Sequence, residues 1–184
     1  MKSPMPLAFA AAALLLSAAS DGTTEEAKAK CPVTGNPSNP DLTTEYEKIS
    51  YAFCSEKCVK TFQEERAASL YEKVGGRAAI DAAVELFYVK VLADERVNFF
   101  FEDIVMNKQK RQQKAFLSAA LGSPVAWTGK DMRKAHANLD LKESDFAAIA
   151  ENLQATLVEL ELDAELIGQI MAVVASTKDD VLNR

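Results

Sequence analysis

The stretch from Met106 to Gly122, MNKQKRQQKAFLSAALG, decides how this sequence is interpreted. Its apolar side chains recur every three or four residues, which predicts an amphipathic helix that ends where Gly122 and Pro124 follow. Two amides, Gln109 and Gln113, stand four residues apart on the apolar face of that helix. A buried amide without a partner costs about 1–3 kcal/mol, so two of them require something polar to bond. The alternative is that Gln109 lies at the rim of the core, in water.

Two further polar residues stand out on neighbouring helical segments. Tyr88 follows Phe87 on the inward face of the preceding helix, and a buried phenol normally finds a hydrogen-bond partner. His136, in the segment DMRKAHANL (131–139), is the only histidine of the chain. A single histidine on a short helix is either a structural residue or a ligand. One tyrosine and two glutamines can converge on a small polar ligand, or they can satisfy one another.

Bulky apolar side chains near these polar residues predict a slot for a planar ring system. The triplet that ends at Phe101 follows the first long helix, and the other candidates come later in the chain: Trp127, Met132, Leu141, Phe146 and Ile149. Aromatic residues at helical spacing usually form core, but these helices are few and short for so many bulky residues. From Ser69 onward the apolar spacing is helical throughout, and the sequence predicts a mainly α domain. The first stripe runs from Ile80 to Leu92, and Asp163 is suited to cap the last helix.

The amino terminus predicts an exported protein. Residues 1–19 carry Lys2, a ten-residue apolar run and then small residues, which is typical of a signal peptide. Ten apolar residues are too few to span a bilayer, although an uncleaved anchor is the alternative. Residues 20–30 then form a polar linker, and the expected location is periplasmic or extracellular in a bacterium, with membrane contact only through the signal. The net charge of −6 argues against a nucleic-acid partner.

Residues 31–66 form a separate small unit that contains all three cysteines. CPVTGNPSNPDL predicts tight turns, EKISYAFCS predicts a strand, and SEKCVKTFQEER predicts a helix capped by Ser55. In an oxidising compartment, Cys54 would pair with Cys58 or with Cys31 and leave one thiol free. Three thiols held together would instead bind a soft metal such as Zn, Cu or Fe.

The helical part, residues 69–184, resembles the group I truncated haemoglobins over nearly its whole length. The similar segments are SLYEKVGGRAAI, ELFYVKVLADERVNFFF, MNKQKRQQKAFLSAALG, DMRKAHANL and DFAAIAENLQATLVEL. The resemblance implies a two-over-two helical sandwich around haem b. A turn that usually carries a second glycine pair reads Gly122-Ser123 here, so its conformation is expected to differ slightly.

The same resemblance assigns roles to individual residues. His136 matches the proximal iron ligand, and Tyr88, Gln109 and Gln113 match the distal residues that donate hydrogen bonds to bound dioxygen. Phe101 matches the phenylalanine on the haem face, and Lys108 matches a basic position that can pair with a haem propionate. The remaining residues expected to line the haem pocket are Phe116, Leu117, Trp127, Met132, Leu141, Phe146 and Ile149. Without a second histidine, the resting sixth ligand would be water, hydroxide or Tyr88.

The amino-terminal unit resembles the YHS or TRASH metal-binding domains. CPVTG is followed by YAFCSEKCVKTF, with 22 residues between Cys31 and Cys54 and three between Cys54 and Cys58. This resemblance implies a soft-metal site formed by the three thiolates.

The sequence is compatible with three functions. The first is a haem protein that binds O2 and also turns over nitric oxide, which would require an unidentified electron donor; whether the protein is an enzyme is therefore open. The second is an exported soft-metal chaperone or sensor with a regulatory globin domain. The third is a purely structural helical domain, which predicts a colourless protein.

Overall fold

The computed structural model describes residues 29–184, so the predicted signal and most of the predicted linker lie outside the described part. Two strands and a helix come first: β1 (Asn39–Tyr46), β2 (Ile49–Phe53) and α1 (Glu56–Ala68). The helices α2 (Leu70–Lys73), α3 (Gly76–Ala93), α4 (Met106–Ala120), α5 (Met132–His136), α6 (Glu143–Glu159), α7 (Ala164–Ser176) and α8 (Lys178–Val181) follow, with a 3-10 turn at Asn98–Phe101. Within residues 29–184, none of the helices has both the length and the apolar content needed to cross a bilayer.

The amino-terminal unit is an antiparallel β-hairpin packed against α1. Its two strands meet at a turn in which Glu47 and Lys48 take left-handed backbone angles, φ 50° and 66°. Ser55 caps α1 by accepting from the backbone N–H of Cys58, as predicted. The sequence did not predict β1: residues 31–42 were expected to turn, but the strand begins at Asn39. The backbone groups of β1 find their partners in β2, and this pairing outweighs the Pro and Asn residues at the start of the strand.

The helical part confirms the predicted mainly α, two-over-two sandwich. Helix α3 packs against α4 and α6, and α6 packs against α7. The first predicted stripe faces the core, with Ile80, Val84 and Tyr88 buried, but Leu92 at its end is 42% exposed. Asp163 caps α7 by accepting from the N–H of Leu166 at 2.9 Å, as predicted. Helix α3 therefore forms the centre of the domain.

The two units are joined without a spacer. Ser69 ends α1 and also caps α2 by accepting from the N–H of Glu72 at 3.2 Å. The Glu47 carboxylate, at the tip of the hairpin, accepts from Tyr71 Oη at 2.5 Å and from Arg77 Nη2 at 2.9 Å. Helix α1 extends to Ala68, two residues beyond the predicted end of the amino-terminal unit. The hairpin is therefore docked on the helical sandwich.

Candidate functional site

Helix α3 holds Tyr88 inside the core. The side chain is 2% exposed and lies edge-on to Phe87 and Phe101, with ring centroids 5.1 and 5.7 Å away. Burial raises the pKa of the Tyr88 phenol above its usual value, while the bond from Gln109 acts in the opposite direction. The phenol is therefore kept protonated and able to donate a hydrogen bond.

Helix α4 brings Gln109 to Tyr88. The amide Nε2 of Gln109 donates to Tyr88 Oη at 3.1 Å. Helix α4 has no buried residue, and its outer side is tied to α3 by Lys110 and Lys114, whose Nζ atoms lie 2.6 and 2.9 Å from the Glu85 carboxylate. Such partly exposed pairs contribute little stability. Gln113 is half-buried one turn further along the same face of α4.

Helix α5 ends at His136. The imidazole is half-buried, and its Nδ1 lies 2.8 Å from the backbone carbonyl oxygen of Met132. Asp131 caps the helix by accepting from the N–H of Lys134 at 2.8 Å, and Arg133 Nε lies 2.7 Å from the Asp180 carboxylate of α8. Within residues 29–184, Nε2 of His136 makes no hydrogen bond. A proton on Nδ1, held by the Met132 carbonyl, leaves the Nε2 lone pair available as a ligand.

The predicted apolar pocket residues divide into two sets. Phe101, Leu117 and Ile149 pack against the same buried cluster that contains Tyr88. The others are half-buried outside that cluster: Phe116, Trp127, Met132, Leu141 and Phe146. The rings of Phe116 and Trp127 pack edge-on, with centroids 5.7 Å apart. Lys108 is exposed. An apolar cavity of about 170 Å³ lies between α3, α4, α6 and α7, and Leu117 is one of the residues that line it.

These side chains are suited to hold a haem. A neutral imidazole with one nitrogen fixed by a backbone carbonyl is the usual axial ligand of globin iron. Half-buried aromatic and aliphatic side chains suit the apolar faces of a porphyrin, and a protonated phenol suits a ligand that gains negative charge. Sequence reasoning did not identify Gly129, where a side chain would overlap the Trp127 ring. The only signal for it was a glycine two residues after the single tryptophan of the chain.

The three cysteines lie together in the amino-terminal unit. Their Sγ atoms are all within 4.8 Å of one another, and the Sγ atoms of Cys54 and Cys58 are 3.5 Å apart. All three are free thiols; Cys31 and Cys58 are buried and Cys54 is half-buried. Burial acts to raise the pKa of Cys31, but hydrogen bonds from neighbouring groups, led by the backbone of Cys54, lower it to about 6. Thr34 Oγ1 lies 3.4 Å from Cys54 Sγ.

Comparison with known proteins gives one consistent result. The profile of the family described as "Bacterial-like globin" matches residues 69–183. The group 1 truncated hemoglobin of Tetrahymena thermophila is 46% identical over 116 residues, which cover 63% of this chain and 96% of that protein. The corresponding protein of Synechocystis is 44% identical over 64% of this chain and 99% of its own length. The solved 2/2 hemoglobin of Synechococcus sp. PCC 7002, in the cyanomet state with covalently attached heme, superposes with a TM-score of 0.61 at 51% identity, over 64% of this chain and all of that one.

Proposed function

This chain belongs to the bacterial-like globin family through residues 69–183, and on that premise we propose that it is a haem protein in which His136 holds the iron and Tyr88, Gln109 and Gln113 stabilise bound dioxygen. Relatives named group 1 truncated hemoglobins support the haem and its O2 ligand. When bound, haem supplies the iron that takes O2 and the electron that converts O2 and nitric oxide into nitrate. The assignment of each residue rests on the contacts within this chain.

His136 is proposed as the axial ligand because its two nitrogens are differently engaged. Nδ1 lies 2.8 Å from the Met132 carbonyl oxygen, which favours the tautomer with the proton on Nδ1. That tautomer leaves Nε2 as the basic nitrogen. A hydrogen bond to the backbone also restricts rotation of the ring, so the Nε2 lone pair keeps one direction.

The observation that carries the distal assignment is the hydrogen bond between Gln109 and Tyr88. The Gln109 amide donates to Tyr88 Oη, so the phenol oxygen is already an acceptor and its own proton is free to donate. Bound dioxygen acquires partial negative charge, and a charge-assisted hydrogen bond to it contributes about 1.5–3 kcal/mol. Gln113, half-buried on the same face of α4, is the second proposed amide donor.

Conversion of nitric oxide to nitrate is the finer part of this proposal. Such a conversion would take one electron from the haem for each nitrate formed, so an external one-electron donor would have to replace that electron before each further turnover. Stopped-flow mixing of the oxygenated protein with nitric oxide should give one nitrate per haem without a donor, and several when a donor is present. Release of nitric oxide unchanged would restrict the protein to O2 binding.

The test of the axial ligand is a hemin titration of wild type and His136→Gly. Wild type should take up one hemin with a sharp Soret band, and the variant should not until external imidazole is added to occupy the vacated position. Asn138→Ala, an exposed change in the same segment, is the control and should behave as wild type. A wild-type protein that stays colourless, or a variant with an unchanged spectrum, would contradict the proposal.

A second candidate function is supported by the cysteine cluster: binding of a soft metal ion in the amino-terminal unit. Three sulfur atoms within 4.8 Å match the thiolate sites that zinc and Cu(I) prefer. The low pKa of Cys31 favours the thiolate form that metals bind. On this view the unit is a chaperone or sensor, and the globin domain is its regulatory part.

Metal analysis of the intact chain tests this second candidate. Reduced protein should retain one equivalent of Zn²⁺ or Cu(I) after desalting, and Cys54→Ser should lose it while hemin uptake stays unchanged. Thr34→Ala, next to the sulfur cluster, should keep most of the metal. A disulfide in the purified protein that resists metal loading would favour the other interpretation of the cysteines.

A further inference from the structure

We propose that Gly129 is a positioning residue for His136, and this inference rests on the proposed function of His136 as the haem ligand. The loop between α4 and α5 folds back on itself at Trp127. The indole Nε1 donates to the carbonyl oxygen of Lys130 at 2.9 Å, which closes a turn over residues 127–130. The next residue, Asp131, is already the cap of α5.

The absence of a side chain at Gly129 is what allows this closure. A methyl group at residue 129 would overlap Cζ2 and Cη2 of the Trp127 indole and would lie 2.6 Å from Cε2. The ring is half-buried, and moving it aside would break its edge-on contact with Phe116 at 5.7 Å and the bond from its Nε1 to the Lys130 carbonyl. An added methyl group must therefore expel the indole or displace the backbone that leads into α5.

The contacts that follow continue to the imidazole without a gap. Asp131 directly follows the turn closed by Trp127, and its carboxylate accepts from the backbone N–H of Lys134 at 2.8 Å. The carbonyl of Met132, in the first turn of α5, then lies 2.8 Å from His136 Nδ1. Three successive local hydrogen bonds, from residues 127, 134 and 136, thus connect the indole to the ring.

Helix α5 has little else to hold it in place. It is five residues long and has no buried residue, so apolar packing does not fix its position. Its side-chain bonds to the rest of the domain are made by Arg133, which pairs with Asp180 of α8 and donates to the backbone carbonyl of Arg184. A shift at Gly129 would therefore be transmitted to the direction of Nε2, because α5 has no buried residue that would anchor it in the core.

The experiment compares Gly129→Ala with Gly168→Ala in the hemin-loaded protein. A methyl group at residue 168, inside α7, would meet nothing within 4 Å, so it is a matched glycine-to-alanine control. Two readouts report on the axial bond: the rate of haem loss to an excess of a scavenger protein, and the iron–imidazole stretching band of the ferrous form. Gly129→Ala should raise the rate of haem loss about tenfold and shift the band, as changes behind metal ligands typically do. Gly168→Ala should leave both unchanged.

A double-mutant comparison separates positioning from simple loss of stability. Trp127→Ala removes the ring that the methyl group would meet, so adding Gly129→Ala to it should change haem loss by less than twofold. Trp127 is the only tryptophan, and the emission maximum of the apoprotein therefore reports directly whether the indole has left its place. If Gly129→Ala does not fold, Trp127→Phe provides the test, because it keeps an aromatic ring but shortens the side chain and deletes the bond to Lys130; about threefold faster haem loss is expected.

Two results would overturn the inference. One is a Gly129→Ala protein with a red-shifted tryptophan emission but with wild-type haem loss and a wild-type stretching band. The other is a Trp127→Phe protein with wild-type haem loss. If wild type itself takes up no hemin, the proposed function fails instead, and that outcome is distinguished from the first two by the missing Soret band.

Discussion

The two helices proposed to face the haem are held in opposite ways. Helix α3 is 18 residues long and buries six of them, and Tyr88 is one of the six. Helix α5 is five residues long and buries none, and His136 is its last residue. The position of Tyr88 is thus determined by packing of the core, whereas that of His136 is determined by hydrogen bonds within the loop and by ion pairs.

This difference separates stability from ligand geometry. A change in α3 disturbs the core and the distal side together, because the same helix serves both. A change around α5 is expected to leave the core intact and to alter the proximal side, because α5 buries no residue. Substitutions in the two helices should therefore fall into two groups, one that affects global unfolding and one that affects haem retention.

The largest effect is expected for Ile80→Ala in α3. Ile80 is 4% exposed and borders the apolar cavity of about 170 Å³, so its truncation enlarges a void that is already present. Such a change costs about 2–5 kcal/mol of unfolding free energy. Urea unfolding of the apoprotein measures it, and Val89→Ala, which is 65% exposed on the same helix, should stay within about 0.5 kcal/mol of wild type. Equal effects of the two changes would contradict the central role of α3.

The next largest effect is expected for Tyr88→Phe, which deletes one hydroxyl group from the same helix. Loss of a charge-assisted hydrogen bond to O2 should raise the O2 dissociation rate tenfold or more, equivalent to about 1.4 kcal/mol. Stopped-flow replacement of O2 by carbon monoxide measures the rate. Tyr51→Phe, in the amino-terminal unit, removes the same group from a half-buried position and should not change it. An unchanged rate in Tyr88→Phe would rule out the distal assignment.

A smaller effect is expected for Asp131→Ala, which removes the cap of α5. Loss of an aspartate cap costs about 1 kcal/mol, and here the cost falls on a helix outside the core. Haem loss should accelerate while urea unfolding of the apoprotein changes little. Asp163→Ala removes an equivalent cap from α7, which has a buried Ile170, and should show the reverse pattern. The same pattern in both variants would remove the distinction between the two sides.

The sequence was sufficient to predict the distal side, where core packing determines the positions of the side chains. The spacing from Ile80 to Tyr88 indicated a buried helix, and the amides of α4 indicated a polar partner; the structure places Gln109 on Tyr88. The error at Leu92 arises because periodicity marks a face of the helix but not the length over which neighbours cover it.

Three other features could not be predicted from local sequence patterns, because they depend on contacts between separate segments of the chain. Strand β1 forms because β2 lies beside it, and its Pro and Asn residues suggested a turn. The closure of Trp127 over Gly129 could not be predicted from the sequence, because a glycine in a loop can serve several kinds of turn and only the structure shows which side chain lies over it. The convergence of three thiols was implied by a resemblance, and their separation of at most 4.8 Å is a property of the fold.

The smallest effect is predicted for pH: between pH 7 and pH 10 the O2 dissociation rate should rise less than it would if the Tyr88 phenol were half ionised at pH 10. An ordinary phenol with a pKa of 10.0 would be half ionised at the upper limit and would no longer donate, but burial raises the pKa of Tyr88 above that value. The same shift has a cost at higher pH, because the unfolded phenol ionises near 10 while the folded one ionises only at a higher pH. The unfolding free energy should therefore fall as the pH rises above 10, and less steeply in Tyr88→Phe than in wild type. A dissociation rate that rises between pH 8 and pH 10 as it would for an ordinary phenol would contradict the raised pKa of Tyr88. In that case the core would not determine the environment of Tyr88, and the contrast between α3 and α5 would be lost.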